Sequence, residues 1–363
     1  MIIESVDLQN YRNYEFLNMT FDNKINIIYG DNAQGKTNIL ESLYVCATSK
    51  SHRGSKDKDI IRFGNDEAHI KVMVKKHGMN YRIDMHLKKN KTKGIAVNGI
   101  PIRRAVELFG IINIIIFSPE DMNIIKNGPS ERRRFMDMEL SQLDKIYLSN
   151  LVNYNKVVVQ RNKLLKQLQF SGDSGLVDML DVWDMQLVRY GSEIIKRRMD
   201  FIDNINSIIR PVHSKLSGNK EILNLRYIPC TTTDNFKDEV IRSRERDIKF
   251  KMTNVGPHKD DVAFFINDKD VRKYGSQGQQ RTCALSLKLA EIELVKKVIN
   301  DTPVLLLDDV LSELDANRQN FLLDSIGDIQ TIITCTGLDE FVNNRFSINR
   351  IFKVVNGVVS NEN

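Results

Sequence analysis

The sequence is poor in cysteine and lacks any long apolar run. Four of its 363 residues are cysteines, which lie far apart and form no Cys-x-x-Cys pair. This spacing argues against a disulfide framework or a cysteine zinc site and favours reduced core residues. No apolar run approaches the roughly 18 residues of a membrane helix, and the N-terminus lacks the basic and apolar regions of a signal peptide. We therefore expect a cytoplasmic globular protein with no membrane partner.

The sequence also carries little excess charge. It contains 53 Lys and Arg residues against 47 Asp and Glu residues, a formal net charge of +6. This balance identifies no nucleic-acid partner by itself, and no zinc finger or helix-turn-helix pattern is evident. Basic residues do form clusters. Each cluster is either a solvated surface or a contact for DNA phosphates, which would be weakly sequence-selective and salt-sensitive. The candidate DNA contacts are Lys88, Lys89, Lys91, Lys93, Arg103, Arg104, Arg132 and Arg133.

One glycine-rich segment matches a phosphate-binding loop at every fixed position. Residues 30–37 fit the pattern G-x-x-x-x-G-K-[ST], between a predicted buried strand at 24–29 and a predicted helix from 38 onward. Such a turn points backbone N–H groups and the helix dipole at one place, where a polyphosphate fits. Lys36 would reach the β- and γ-phosphates of ATP, and the hydroxyl of Thr37 would ligate Mg²⁺. The predicted nucleotide-binding residues are Gly30, Asp31, Asn32, Ala33, Gln34, Gly35, Lys36 and Thr37.

A second segment, near the C-terminus, supplies paired carboxylates. The apolar run at 304–307 predicts a buried parallel strand that ends in Asp308 and Asp309. Ligands bind at the carboxyl ends of such strands. Asp308 is therefore expected to hold Mg²⁺, and Asp309 to orient or deprotonate the attacking water. On its own the pair could equally be two solvated acids, but the phosphate-binding loop favours a catalytic role.

A third segment resembles the signature motif of ABC-type ATPases. It reads Ser276-Gln277-Gly278-Gln279-Gln280-Arg281, a helical pattern follows it, and a D-loop-like segment stands at 312–315. In that family the motif contacts the γ-phosphate held by the opposite subunit of a head-to-tail dimer. The resemblance therefore implies an ATP-dependent homodimer in which Ser276, Gly278 and Gln279 contact the ATP of the other copy.

Taken in order, the motifs resemble the RecF family of bacterial DNA replication and repair ATPases. The separation of 240 residues between Lys36 and Ser276 is too short for the coiled coil of SMC proteins. The segments that carry the resemblance are 8–14, 30–38, 117–121, 129–137, 256–261, 276–281 and 307–315. The resemblance implies that an ATP-bound dimer clamps double-stranded DNA near single-strand gaps or junctions. It also implies that RecO- and RecR-type mediators act with it to load RecA, and that slow hydrolysis releases the DNA.

The sequence departs from the wider ABC pattern at three positions that would hold the attacking water in place. Asp309 stands where a glutamate is usual, and residues 331–336 lack the switch histidine. The Q-loop glutamine is also missing, and Glu120 is the nearest polar residue. These changes weaken the positioning of water rather than the binding of ATP, so we expect a weak ATPase that is stimulated by DNA.

The predicted fold is α/β, an ABC-type P-loop ATPase head with mixed sheets and an inserted, mainly helical lobe. The head would take residues 1–120 and 300–363, and the lobe with the signature motif residues 121–299. Apolar patterns predict an N-terminal hairpin over 1–22, antiparallel strands over 66–102 and a buried strand over 111–117. They also predict helices over about 130–170 and 176–215, separated by a turn at 171–175.

Two smaller features and two rival functions stay open at this stage. Arg12 is either a solvated edge residue or, as heads of this type imply, a contact for the nucleotide, which we favour. Gly256-Pro257-His258 predicts a specific loop, but its contacts cannot be read from the sequence. The rivals are a transporter-type ATPase that moves a membrane partner and a purely structural SMC-like head. A DNA-stimulated ATPase assay would separate them.

Overall fold

The structure, a computed structural model, describes residues 1–168, 174–338 and 349–362. Its strands are β1 (Ile2–Tyr11), β2 (Tyr14–Thr20), β3 (Ile25–Tyr29), β4 (Glu67–Lys76), β5 (Met79–Lys88), β6 (Gly94–Val97), β7 (Ile100–Pro101), β8 (Ile114–Phe117), β9 (Leu223–Ile228), β10 (Asp261–Ile266), β11 (Lys269–Asp270), β12 (Val304–Asp308), β13 (Thr331–Cys335), β14 (Arg350–Val355) and β15 (Val358–Asn361). Its helices are α1 (Lys36–Thr48), α2 (Met122–Lys126), α3 (Pro129–Leu143), α4 (Lys145–Leu168), α5 (Ser174–Leu216), α6 (Phe236–Arg242), α7 (Arg244–Phe250), α8 (Val271–Tyr274), α9 (Gln277–Ile299) and α10 (Ala316–Ile326).

The chain forms two compact units. The first combines Met1–Asp121 with Glu291–Asn363, and the second is Met122–Ala290. The second boundary falls inside α9, whereas the sequence-based division places it after residue 299. The roles assigned to the two parts stay predictions. No helix in the described part of the chain combines the length and apolarity that crossing a membrane requires.

The first unit contains an antiparallel sheet that is solvated on one face. Its strand order is β2-β1-β4-β5-β6-β7, and it includes the predicted N-terminal hairpin and the predicted strands of 66–102. Burial alternates along β4, where Ala68, Ile70, Val72 and Val74 are buried and His69 is exposed. Period-2 alternation of this kind is the mark of a half-buried strand, which is why these strands are readable from the sequence.

The second sheet of this unit is mainly parallel and carries the phosphate-binding loop. Its order is β15-β14-β3-β13-β12-β8, with β3 parallel to both β13 and β14. Strands β12 and β8 are buried along their whole length, as expected for parallel strands covered on both faces. Helix α1 contacts strands of both sheets, and most of its residues are buried. The predicted α/β architecture with mixed sheets is thus confirmed.

The second unit is mainly helical, with a small sheet of order β11-β10-β9. The helical stretch predicted over about 130–170 is divided into two helices, because the chain leaves the helical region at Asp144 (φ −136°, ψ 104°). The Asp144 carboxylate accepts hydrogen bonds from the N–H groups of Ile146 and Tyr147, and so begins α4 as an N-cap does. Residues 171–173 of the predicted turn lie outside the described residues, and α5 begins at Ser174.

Candidate nucleotide-binding site

The phosphate-binding loop joins β3 to α1, as the motif predicts. Gly35 precedes the helix with a left-handed backbone (φ 113°), which a residue with a Cβ rarely adopts. A Cβ there would also lie 2.4 Å from Asn13 Nδ2 and 2.8 Å from Tyr14 Oη. Asn13 Nδ2 donates to the carbonyl of Gln34 at 3.0 Å, and Tyr14 Oη donates to that of Gly35 at 3.1 Å. The turn of the first hairpin therefore buttresses the loop, a long-range role that the sequence did not reveal.

Lys36 lies inside the loop. Its residue is 4% exposed, and its Nζ donates to the carbonyl oxygens of Gly30 at 2.7 Å and Asp31 at 3.0 Å. In a loop of this kind, the N–H groups at the start of the following helix also point at the bound anion. The geometry suits a bound polyphosphate, since charge-assisted bonds to phosphate are stronger than those to neutral carbonyls.

Thr37 and Asp308 meet although they are 271 residues apart. The Thr37 hydroxyl donates to Asp308 Oδ1 at 2.8 Å, and the hydroxyl of Thr334, near the end of β13, donates to the same oxygen at 2.8 Å. Burial raises the pKa of Asp308 above its usual value, and the negative charges of Asp309 and Glu120 add to this against the two hydrogen bonds. A carboxylate whose neighbouring charges are negative fits a divalent cation. Thr37 and Asp308 are thus suited to hold Mg²⁺, with its preference for oxygen ligands.

Asp309 follows β12 in the left-handed region (φ 52°). Its N–H donates to Thr334 Oγ1 at 3.0 Å, and its carbonyl accepts from the hydroxyl of Ser312 at 2.8 Å. Thr334 thus ties both carboxylate residues to β13. The sequence shows threonines at 331–336, but it does not reveal this link between Thr334 and the two acids. Strained backbone that its surroundings fix is typical of functional sites. Exposed Glu120 follows β8, the strand next to β12, and its charge reaches Asp308.

Arg12 makes its bonds inside the first unit. Its Nε and Nη2 donate to the two carboxylate oxygens of Glu41, each at 2.7 Å, and Nη1 donates to the carbonyl of Asp59 at 2.9 Å. Burial raises the pKa of Glu41, but the bonds from Arg12 and Ser51 outweigh it and the net shift is downward. The structure therefore shows Arg12 bound to α1, and a contact between Arg12 and the nucleotide stays a prediction.

The C-terminal hairpin also contacts the loop. The N–H of Asn356, in the turn between β14 and β15, donates to Gln34 Oε1, and the carbonyl of Val354 lies against Gly30. Glu362 on the same hairpin accepts a hydrogen bond from the Tyr29 hydroxyl at the end of β3. Two hairpins from opposite ends of the chain therefore fix the shape of one short loop.

The signature-like segment begins α9 in the second unit. Ser276 N–H donates to Gln279 Oε1 at 2.9 Å, and Gln279 N–H donates to Ser276 Oγ at 3.2 Å. This reciprocal pair is a capping box. Gln279 is also held by Glu221, whose carboxylate accepts from Nε2 at 2.8 Å. Ser276, Gln277 and Gly278 are exposed, so the helix N-terminus faces solvent on the surface of this unit.

The predicted DNA contacts differ in whether their basic side chains are already paired with other groups of the protein. The Arg132 side chain is 3% exposed and is paired with Asp261, so it serves the packing of the second unit instead of reaching outward. Lys93 donates to the Ser49 carbonyl and to Asp57. Further pairs with a neighbouring group are Lys88–Glu67, Lys89–Asp66 and Arg133 with the Asp260 carbonyl. Among the described residues, the exposed candidates whose side chains make no such bond are Lys91, Arg103 and Arg104.

The loop at 256–261 forms part of a buried polar network. Arg198 donates to the Pro257 carbonyl at 2.6 Å and to Asp260 Oδ2 at 3.0 Å. His258 Nε2 lies 3.0 Å from the Thr253 carbonyl, which can only accept, so Nδ1 accepts from the Tyr154 hydroxyl at 2.6 Å. Burial lowers the pKa of His258 to about 4. The loop joins several segments of the second unit through buried hydrogen bonds, a role that the sequence left open.

Comparisons with known proteins agree with this geometry. The family model of the RecF/RecN/SMC N terminal domain matches residues 2–360. The chain is 73% identical over 363 residues to the DNA replication and repair protein RecF of Lachnospira eligens, with 100% of both chains covered. It is 44% identical over 362 residues to that of Clostridium perfringens, covering 98% of this chain and 99% of the relative.

Solved structures show the same fold. The recombination mediator protein RecF with ATP, in the RecFOR pathway, matches with a TM-score of 0.92 and 34% identity, over 99% of this chain and 97% of that one. The SMC head domain of Pyrococcus furiosus bound to the C-terminal domain of ScpA shares the fold alone, with a TM-score of 0.56 and 15% identity over 99% and 95%. The predicted ABC-type head is thereby confirmed, and the chain belongs to the RecF family, within the group that shares the RecF/RecN/SMC N-terminal domain.

Proposed function

We propose that this protein is an ATP-dependent DNA-binding protein of replication and recombinational repair, active as an ATP-closed dimer. The observation that carries the proposal is the meeting of Lys36, Thr37 and Asp308 at the end of the parallel sheet. Membership in a family whose relatives are DNA replication and repair proteins supports the biological role. Solved RecF structures with ATP support the nucleotide.

ATP would bind with its β- and γ-phosphates on the loop 30–37. Lys36 would exchange its carbonyl partners for phosphate oxygens, and Thr37 and Asp308 would hold Mg²⁺, which neutralises charge on the β- and γ-phosphates. Asp309 would orient the attacking water or accept its proton, with Glu120 as the alternative base. The aspartate side chain is one methylene shorter than glutamate, so we infer slow turnover and a long-lived ATP state.

Dimerisation would place Ser276 of each copy against the γ-phosphate held by the other. The exposed N-terminus of α9 is suited to this, because unsatisfied N–H groups and the helix dipole favour an anion there. Gly278 and Gln279 would line the same contact. Hydrolysis would then remove the group that joins the copies, and the dimer would open.

DNA would be held through its phosphates. Lys91, Arg103 and Arg104 are the exposed candidates, and contacts of this kind carry no base specificity. The substrate we infer is double-stranded DNA next to a single-strand gap or junction. RecO- and RecR-type mediators would be the partners that hand such a site to RecA, and the setting would be the cytoplasm.

The test combines ATPase activity with the association state. The wild-type protein should hydrolyse ATP slowly, faster with gapped DNA, and should sediment as a dimer only with ATP. The variant Lys36→Ala should lose ATP binding, and with it dimerisation, while Lys24→Ala, which changes an exposed lysine outside the loop, should behave as wild type. Dimerisation of Lys36→Ala on addition of ATP would contradict the site. Turnover that DNA does not stimulate would favour the transporter-type or structural alternatives.

A further inference from the structure

Two imidazoles and a carboxylate lie together on the exposed face of the antiparallel sheet. Their residues lie at least 30 positions after the phosphate-binding loop. His69 on β4 and His86 on β5 are direct cross-strand partners. Their rings are stacked, with centroids 3.9 Å apart and an interplanar angle of 23°. Glu67 stands two residues before His69, on the same face of β4, and its Oε2 contacts His86 Nε2. One potential ligand atom from each residue lies within 4.8 Å of the others.

We infer that Glu67, His69 and His86 form a binding site for one divalent transition-metal ion of the zinc class. Ligands at about 2.0–2.1 Å from a tetrahedral Zn²⁺ lie about 3.3 Å from one another. Rotation of the side chains about their χ angles, which separates the stacked rings of His69 and His86, would bring the three atoms to that distance. Two imidazoles and one carboxylate are a ligand set that zinc accepts, and three protein ligands leave a fourth position for water or an incoming group.

The donor set distinguishes this ion from the Mg²⁺ of the nucleotide site. Imidazole nitrogen suits zinc, copper, nickel and iron, whereas Mg²⁺ prefers the oxygen ligands that Thr37 and Asp308 provide. Lys88 is the competing partner, because its ammonium lies 3.0 Å from Glu67 Oε1. The side chains of that pair are 35% and 46% exposed, so its contribution is small and a divalent ion can replace it.

The surroundings leave room for the fourth ligand. His69 and His86 line a concavity of about 840 Å³ on this face of the sheet, together with Asp7, Phe16 and Lys71. The two ligand strands are bonded over their full length, so the backbone that carries the ligands is rigid. A fixed scaffold keeps the ligands in place without the metal, and the site would bind the ion without a folding step.

The experiment measures metal binding to the nucleotide-free protein. Chelator-treated wild-type protein is dialysed against Zn²⁺, and separately titrated with Co²⁺ as a spectroscopic probe. We expect one Zn²⁺ per chain, a rise in Tm with Zn²⁺, and Co²⁺ absorption bands without the thiolate band that a cysteine site would give. The variants His69→Ala and His86→Ala should each weaken Zn²⁺ binding at least ~100-fold, more than loss of an outer-sphere partner costs.

The controls use residues of the same kind elsewhere. His77→Ala removes a half-exposed histidine from the turn of the same hairpin and should leave binding unchanged. Cys230→Ser removes the exposed thiol and should also have no effect. Equal Zn²⁺ affinity in wild type and in the double variant His69→Ala/His86→Ala would overturn the proposal, as would a cobalt spectrum with thiolate character. Because no nucleotide is present, failure here leaves the proposed ATPase function untouched.

Discussion

At the scale of single residues, Thr334 joins the two acids of the nucleotide site. One hydroxyl donates to the Asp308 carboxylate and accepts from the Asp309 N–H, which fixes the carboxylate and the strained backbone together. Asp308 and Asp309 can be predicted from the sequence, because an apolar run that ends in acids is a local signal. The role of Thr334 cannot be predicted, because β12 and β13 become neighbours only in the folded sheet.

The raised pKa of Asp308 predicts opposite effects on stability and function. A carboxyl with a higher pKa in the folded state binds protons more readily there, so stability falls as the pH rises through that pKa. Asp308→Asn should therefore raise the Tm of the metal-free protein at pH 7, and the gain should vanish near pH 3. ATPase activity should fall at least ~10²-fold, because the metal supplies several kcal/mol of charge stabilisation. A lower Tm at pH 7 would contradict the raised pKa.

Removal of the negative charge from Asp309 tests which acid handles the water. Asp309→Asn should keep ATP affinity but slow single-turnover hydrolysis by ~10²-fold or more, the range for a general base. The variant should accumulate as an ATP-bound dimer. Glu120→Gln is the matched control, since both acids act on Asp308 through their charge. If turnover falls only in Glu120→Gln, the role of base belongs to Glu120.

At the scale of elements, local sequence patterns predict the strands and the helical stretches, but not the break between α3 and α4. The strands of the antiparallel sheet can be predicted from the alternation of apolar and polar residues, and the loop at 30–37 can be predicted from its glycines. This break cannot be predicted from the sequence, because Asp144 looks the same as any polar residue on a helix surface. Its capping role depends on a change of backbone direction. The contacts of Arg12 with Glu41 and of Asn13 with Gln34 were equally hidden, since each joins distant segments.

The loop at 256–261 gives the second unit a pH dependence. His258 is neutral in the fold, where burial lowers its pKa to about 4 from the usual 6.5. As the pH falls below 6.5, His258 becomes protonated in the unfolded chain but not in the folded chain. The free energy of unfolding therefore falls until about pH 4. The loss reaches about 3 kcal/mol. The change His258→Gln, which keeps an acceptor for Tyr154 and a donor for Thr253, should abolish most of this loss in urea unfolding at pH 7 and 4.5. His77→Gln should retain the full loss, and a His258→Gln variant as acid-sensitive as wild type would contradict the assignment.

At the scale of the whole molecule, the proposed dimer is tested at Ser276. Ser276→Arg should leave ATP affinity of the monomer nearly unchanged but block dimerisation, hydrolysis and tight DNA binding together, because a bulky cation obstructs the approach of two heads. The structure adds a control, since Ser276 caps α9. Ser276→Ala loses the cap, at about 1 kcal/mol, without added bulk, and Ser276→Thr keeps it. Sedimentation with ATP should show dimers for Ser276→Thr and monomers for Ser276→Arg. Weakened ATP affinity in the Ser276→Arg monomer would mean that Ser276 acts within its own copy.

The position of β3 between β13 and β14 has a consequence for folding during synthesis on the ribosome. The strand that carries the phosphate-binding loop is made within the first 30 residues, but its two neighbours come from residues 331–335 and 350–355. At about 5–20 residues per second, a ribosome needs roughly 15–60 s to supply them. Until residues 331–335 are made, β3 lacks both of its neighbours, and unpaired strand edges favour association with other chains. The sheet around the phosphate-binding loop therefore cannot be complete until residue 355 has been made.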